Sequence, residues 1–375
     1  MEKQVHIISF DVPWPVDYGG VVDVFYTIKL LQAAGIRIHL HCFEYGRGTQ
    51  PELESLCQSV HYYPRLSGHK CISHQLPYIV ASRSNAELLD NLLKDDHPIL
   101  VQGIHCTYLL NDERFDGRKI VIRLHNTEYT YYEQLYKSTS VISLFKKLYY
   151  QHESKMLRHY EKQIIGKALF LSMAEQDVER YKRELHAENI AYLPPLVPFS
   201  EVKGTEGVGC FCLYHGNLSV SENEKAAAWL AQEVFNDLRI PLIIAGKNPS
   251  KKLERIAQQY KQTCIVANPS EQELQDMISK AQINVIPSFN CTGIKLKLLN
   301  ALFNGRHCVV NEATVHRTGL EAACHIGNNA VAFKSLISQL YHQPFAEEEI
   351  RLRNRLLPGD FDNERNVQRL IQWIW

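Results

Sequence analysis

Short apolar runs alternate with stretches of helical spacing along most of the chain. The run QVHIISF over 4–10 reads as a strand, and a glycine-containing loop and a helix near 20–34 follow it. Further strands are expected at 36–42, 97–102, 119–124, 168–172 and 190–193, with helices near 84–94, 128–137, 141–166 and 174–186. Alternation of this kind implies parallel strands joined by crossover helices.

The pattern halts at Leu193-Pro194-Pro195-Leu196-Val197-Pro198, where three prolines in five residues make a stiff connector. A polar, glycine-rich stretch then leads into a second alternating set. Its strands are expected at 209–214, 241–246, 263–267, 283–287 and 307–311, and its helices near 221–235, 249–260, 270–280, 294–304 and 334–342. The chain is therefore expected to be α/β, with two doubly wound, Rossmann-like domains facing across a cleft. They are expected at 1–195 and 209–358, with a linker over 196–208 and a terminal helix within 359–375 that returns to the first domain. Val367, Leu370, Ile371 and Ile374 recur at helical spacing there, so that helix must cover something apolar.

A length of 375 residues suits two such domains, and 45% hydrophobic residues suffice for two cores. Lys+Arg and Asp+Glu both total 41, and this balance argues against nucleic acid as a partner. The opening MEKQVHIISFDVP has no basic leader and no long apolar core, and the ten cysteines are scattered, so a cytoplasmic protein with reduced thiols is expected. Cys210 and Cys212 lack a second Cys/His pair at zinc-like spacing, and no metal site is expected there.

Open α/β sheets bind ligands beyond the carboxyl ends of their strands, and six loops there are rich in glycine or polar residues. The first carries Asp17, Tyr18, Gly19 and Gly20 at a helix start, where main-chain N–H groups can approach an anion or sugar, although the spacing is not that of a dinucleotide site. The second is Arg123-Leu124-His125-Asn126-Thr127-Glu128. His125 at a strand end can face a ligand, while Asn126 or Thr127 can cap the next helix. The third is His215-Gly216-Asn217-Leu218-Ser219, and the fourth contains Lys247. In the fifth, Thr292, Gly293, Ile294, Lys295 and Lys297 run into a helix whose first turn exposes N–H groups beside two lysines, a setting suited to a diphosphate. Lys295 and Lys297 are two apart and so diverge, one toward a ligand and one toward solvent. The sixth holds Asn311 and Thr318-Gly319-Leu320-Glu321.

Together these segments resemble the retaining GT-B glycosyltransferases of family 4, over nearly the whole chain. The Gly19-Gly20 loop, RLHNTE, LYHGNLSVSENEKAAAWL, LIIAGKNPS and the stretch from Ser270 to Asn311 carry the resemblance by their order and spacing. It implies transfer of a hexose-type sugar from a nucleoside diphosphate sugar to a glycan or lipid-linked acceptor, with retention, in polysaccharide or glycoconjugate assembly. It further implies no metal and no cofactor besides the donor. His125, Lys295 and Lys297 take the catalytic places. Gly19, Gly20, Gly216, Asn217, Lys247, Thr292, Gly293, Ile294 and Asn300 take the donor places, and Asp17, Tyr18 and Asn126 the acceptor places. The sequence departs from the family where many members carry two glutamates, since Thr292 and Asn300 stand there, and Asn217 replaces a basic residue. Two other readings follow: a catalytically degenerate nucleotide-sugar binder, and a nucleotide-sugar epimerase, which needs acid/base carboxylates beyond Asp17 and Glu128. Finally, the segment 143–166 sets Lys146, Lys147, Lys155, Arg158 and Lys162 among Leu144, Phe145, Leu148, Tyr149, Met156 and Leu157. That composition suits either a solvated amphipathic helix or weak peripheral contact with the inner membrane face.

Overall fold

The computed structural model describes residues 2–71, 73–139, 144–290 and 292–375. It divides into two compact units, one of Met1–Pro198 with Asn363–Trp375 and one of Phe199–Asp362. Each is an α/β layer structure around its own parallel sheet.

In the first unit the strands are β1 (Gln4–Ser9), β2 (Arg37–Glu44), β3 (Ser59–Pro64), β4 (Ile99–Gln102), β5 (Ile120–Leu124), β6 (Leu169–Ser172) and β7 (Ile190–Tyr192). They lie in the order β3-β2-β1-β4-β5-β6-β7, all parallel. Helices cover both faces, so β4 and β5 are buried throughout and read as continuous apolar runs. The helices used below are α1 (Gly19–Ala33), α2 (Glu128–Ser138), α3 (Leu144–Ile164) and α4 (Glu175–Leu185). Leu157, Tyr160 and Ile164 of α3 join the core, whereas Leu144, Phe145 and Leu148 near its start are exposed. Residues 141–143 of that expected helix lie outside the described residues. No described helix is long and apolar enough to cross a membrane.

The second unit holds β8 (Cys212–His215), β9 (Leu242–Gly246), β10 (Thr263–Ala267), β11 (Ile283–Ile286), β12 (His307–Val310) and β13 (His325–Ile326), in the order β10-β9-β8-β11-β12-β13 and again parallel. Its helices include α5 (Ser221–Trp229), α6 (Leu296–Asn304), α7 (Ala330–Leu340) and α8 (Glu347–Asp360). The last helix, α9 (Asn363–Ile374), packs against α1 and β5 in the first unit and buries Val367, Leu370 and Ile374 in its core.

Several boundaries differ from the sequence reading. Strands β3 and β13 and helix α8 were not expected. Pro358 ends the second domain on paper, but it sits inside α8, and residues 359–360 complete that helix. The C-terminal helix thus starts at Asn363. The helix placed at 334–342 runs from Ala330, with the Asn329 side chain capping it. The segment 196–208 is shared between the units: Leu196 and Val197 are buried in the first, and Gly207 bridges Phe345 in the second. Cys210 and Cys264 are exposed, Cys212 is buried, and Cys291 lies outside the described residues.

Candidate functional site

Both strand orders reverse direction once, between β1 and β4 and between β8 and β11. A crevice opens at the carboxyl side of such a switch, because the flanking loops leave in opposite directions. In the second unit, the third and fifth loops of the sequence reading follow the two strands of that switch.

Four segments are tied together there. Gly216 follows β8 and Gly246 ends β9; a Cβ on Gly246 would lie 1.8 Å from the Gly216 carbonyl oxygen, so only glycine permits this approach. The Leu218 N–H donates to the Lys247 carbonyl at 2.9 Å, joining the third loop to the fourth. Ser288, after β11, donates to Glu222 of α5 at 2.9 Å, and its main chain is held on both sides by the Asn311 amide. Asn311 therefore fixes the fifth loop to the sixth by an amide pairing with the backbone.

The fifth loop then enters α6. Gly293 has φ +62, in the left-handed region that a side chain would strain. Lys295 is the N-cap of α6, with no side-chain cap and no acidic residue in the first turn. The helix thus presents its partial positive end with no acidic residue of its own first turn. Lys295 donates from Nζ to the Thr292 carbonyl at 2.6 Å. Lys297 turns toward β8, donating to Asn223 Oδ1 at 2.9 Å and lying 4.9 Å from the centre of the Tyr214 ring. Both lysines are half-buried and both are anchored. Burial lowers the Lys297 pKa to about 8, against the opposing pull of Glu222. Beside it, burial lowers His215 to about 3, and its Nε2 is buried without a hydrogen-bond partner.

The remaining donor candidates are engaged locally. Asn217 accepts from the Ser219 N–H and hydroxyl. Thr292 directs its N–H and hydroxyl to Asn290 Oδ1 at 2.7 and 2.8 Å. The Asn300 side chain accepts from Asn304, one turn along α6, at 2.9 Å. Lys225 of α5 lies 4.7 Å from the Phe289 ring centre.

In the first unit, the Phe10 ring links two expected loops, with ring centres 5.2 Å from His125 and 5.3 Å from His105. His125 pairs through Nε2 with the Gln102 side-chain oxygen Oε1 at 2.9 Å, and burial lowers its pKa to about 4. It is a neutral imidazole at physiological pH. Asn126 bonds to Glu128, whose carboxyl burial raises to about 7. Tyr18 donates to Asp11 at 2.6 Å and Asp17 accepts from Arg47 at 2.9 Å, so both acceptor candidates brace the first loop. Gly20 lies under the Tyr18 ring, and exposed Gly19 opens α1. Arg47, Arg83, His105 and Gln102 were not singled out by sequence. Arg83 lies 73 residues from Phe10, whose carbonyl it holds at 3.0 Å, and no local motif marks it.

Residues 210–343 match the family model described as glycosyl transferases group 1. A Klebsiella pneumoniae protein, described as an uncharacterized 44.6 kDa protein in the cps region, is 29% identical over 336 residues and covers 84% of each chain. A glycosyltransferase from Rickettsia africae superposes with a TM-score of 0.66 at 10% identity, covering 100% of this chain and 98% of its own. WaaG, a glycosyltransferase involved in lipopolysaccharide biosynthesis, gives 0.67 at 10% identity, with 99% of each chain covered. Residues 210–343 are thus similar to the glycosyl transferases group 1 model, and the chain has the fold of the GT-B glycosyltransferases.

Proposed function

We propose that this chain transfers a hexose-type sugar from a nucleoside diphosphate sugar to a glycan or lipid-linked acceptor. In this reading the transfer retains anomeric configuration, uses no metal, and serves polysaccharide or glycoconjugate assembly. The observation that carries it is the amino end of α6: uncapped, free of acidic residues in its first turn, entered through Gly293 and flanked by Lys295 and Lys297. A departing diphosphate there would accept main-chain N–H bonds and be neutralised by the lysines, the kind of preorganised stabilisation that supplies the largest share of many rate enhancements. Gly19, Gly20, Gly216, Asn217, Lys247 and Ile294 are the further donor contacts of this reading. Its acceptor side keeps Asp17, Tyr18 and Asn126, and neutral His125 hydrogen-bonds the transferred sugar. The cps-region relative and the lipopolysaccharide enzyme support a role in surface glycan assembly.

Calorimetry with GDP, UDP, TDP and CMP compounds tests the donor assignment. One nucleoside diphosphate should bind, and the Lys295→Ala/Lys297→Ala chain, checked for folding by circular dichroism, should bind it at least tenfold more weakly. A folded wild-type chain that binds none of them overturns the reading. The local engagement of Thr292 and Asn300 at the two positions without glutamate favours one alternative, a degenerate binder. Tight nucleotide-sugar binding without nucleoside diphosphate release, with any acceptor, would establish that alternative.

A further inference from the structure

At the other end of the second sheet, three side chains converge on one point. His307 opens β12 and His325 opens β13, the neighbouring edge strand, while Glu349 lies in the first turn of α8. His307 Nδ1 is 3.2 Å from Glu349 Oε1, and His325 Nε2 is 3.7 Å from the same oxygen. One ligand atom from each residue lies within 4.8 Å of the others, and this is the one such group among the described residues.

The hydrogen bonds decide which atoms are available. His307 Nε2 lies 3.0 Å from the Gln343 carbonyl, which can only accept, so Nε2 carries the proton. Nδ1 is then the ring atom left for Glu349. It is fully buried and lies 3.2 Å from a carboxylate oxygen. Glu349 is fixed in turn, because Oε2 accepts the Ala346 N–H at 3.1 Å and leaves Oε1 toward the histidines. A cation placed between a ring nitrogen and a carboxylate oxygen at this distance is attracted to both. A histidine whose far nitrogen donates to a backbone carbonyl is also how a metal-bound imidazole is commonly oriented.

We infer that His307 Nδ1, His325 Nε2 and Glu349 Oε1 form a binding site for a zinc-class divalent transition-metal ion that pins α8 to the edge of the second sheet. Two imidazoles and one carboxylate are a ligand set for this class of metal, with ligand atoms about 3.4 Å apart around a tetrahedral ion at about 2.1 Å. The observed 3.2 and 3.7 Å separations need little adjustment. The His325 side chain is one-third exposed, which gives the ion an entry path and leaves a fourth position for water. His307 stands at the amino end of β12 and the sugar-nucleotide loops follow carboxyl ends, so the ion has a structural role and takes no part in the proposed transfer.

The test uses the full chain, stripped with a chelator, dialysed and titrated with Co²⁺ while visible absorption is recorded. One equivalent should produce the strong d–d bands of a four-coordinate ion, and Zn²⁺ should abolish them and raise Tm. His325→Ala and Glu349→Gln should each weaken Co²⁺ binding at least tenfold, whereas Cys210→Ser/Cys264→Ser should leave the bands unchanged. No binding to the wild-type chain overturns the inference. Bands that survive both ligand substitutions, or vanish with the exposed thiols, overturn it equally. Nucleotide binding is scored separately, so failure of either proposal leaves the other standing.

Discussion

Lys297 Nζ sits 2.9 Å from the side-chain oxygen of Asn223, joining the first helical turn after the fifth loop to the helix after the third. The lysine is therefore positioned before any ligand arrives, and burial holds its pKa near 8. Nucleoside diphosphate affinity should fall about tenfold or more in Lys297→Ala, a loss of about 1.4 kcal/mol or greater. Wild-type affinity should also decline as pH rises from 7 to 9, because the free lysine sheds its proton across that range. Calorimetry at the two pH values measures this, and equal slopes for wild type and variant would exclude Lys297 as the titrating group.

The close approach of Gly216 and Gly246 sets a second expectation. A methyl group at residue 246 would lie 1.8 Å from a main-chain oxygen that no rotamer can move aside. Gly246→Ala should cost about 1–3 kcal/mol through overpacking, lowering Tm by roughly 2–4 °C per kcal/mol for a unit of this size. Gly359→Ala, where nothing lies within 4 Å of the new Cβ, is the control; in the last turn of α8 it should leave Tm unchanged or raise it by a few degrees. A thermal melt of Gly246→Ala matching that of the control would refute the close-approach argument.

These two sites show what the chain disclosed in advance. The strands at β4 and β5 were legible because burial on both faces demands an unbroken apolar run, and the loops with Gly216 and Gly293 were legible because glycine marks strand ends and left-handed backbone. Strand β3, SVHYYP, was not, since Ser59 to Tyr62 are all half-buried and only Tyr63 is fully buried, so no alternation shows. The partners of Lys297 lie 74 and 83 residues away, and only the pairing of β8 beside β11 brings them near. The His307, His325 and Glu349 group needs the register of β12 on β13 and a helix that Pro358 obscured.

A chain of hydrogen bonds crosses the first sheet with its direction fixed at one end. The Asp95 carboxylate accepts from His6 Nε2 at 2.9 Å, so His6 Nδ1 accepts from His41 Nε2, and His41 Nδ1 accepts from the Tyr63 hydroxyl. Both imidazoles are neutral in this order, and burial lowers His6 to about 4 and His41 well below its ordinary value. The unfolded chain therefore takes up protons first as pH falls. The stability contribution is complete above about 6.5 and is lost toward pH 4, amounting to about 3 kcal/mol for His6. Burial raises Glu128 and Glu153 to about 7 and Glu161 to about 8, and these carboxyls titrate in the opposite sense. The measurement is accordingly a difference: urea unfolding of wild type and His6→Gln at pH 7 and pH 5. The wild type should lose about 2 kcal/mol more than the variant on acidification. Parallel losses would show that the histidine chain does not titrate in this window.

Asp23 and Arg123 form a fully buried pair, bidentate at 2.9 and 3.0 Å, on α1 and β5. Burial works to raise the Asp23 carboxyl, but Arg123 outweighs it and the net shift is downward. The remaining donors are used as well: Arg123 holds the Leu193 and Pro194 carbonyls, and Asp23 accepts the Leu196 N–H at 2.8 Å. The pair thus fixes the proline segment at the end of the first unit. Asp23→Ala should cost about 3–5 kcal/mol, because it strands a guanidinium in an apolar core. Asp23→Leu/Arg123→Met removes both charges and should restore part of that loss, though the two carbonyls and the amide it frees keep it below wild type. Denaturant unfolding of the three chains gives the comparison. If the double variant proves no more stable than Asp23→Ala, the cost lies in the freed backbone groups rather than in the unpaired charge.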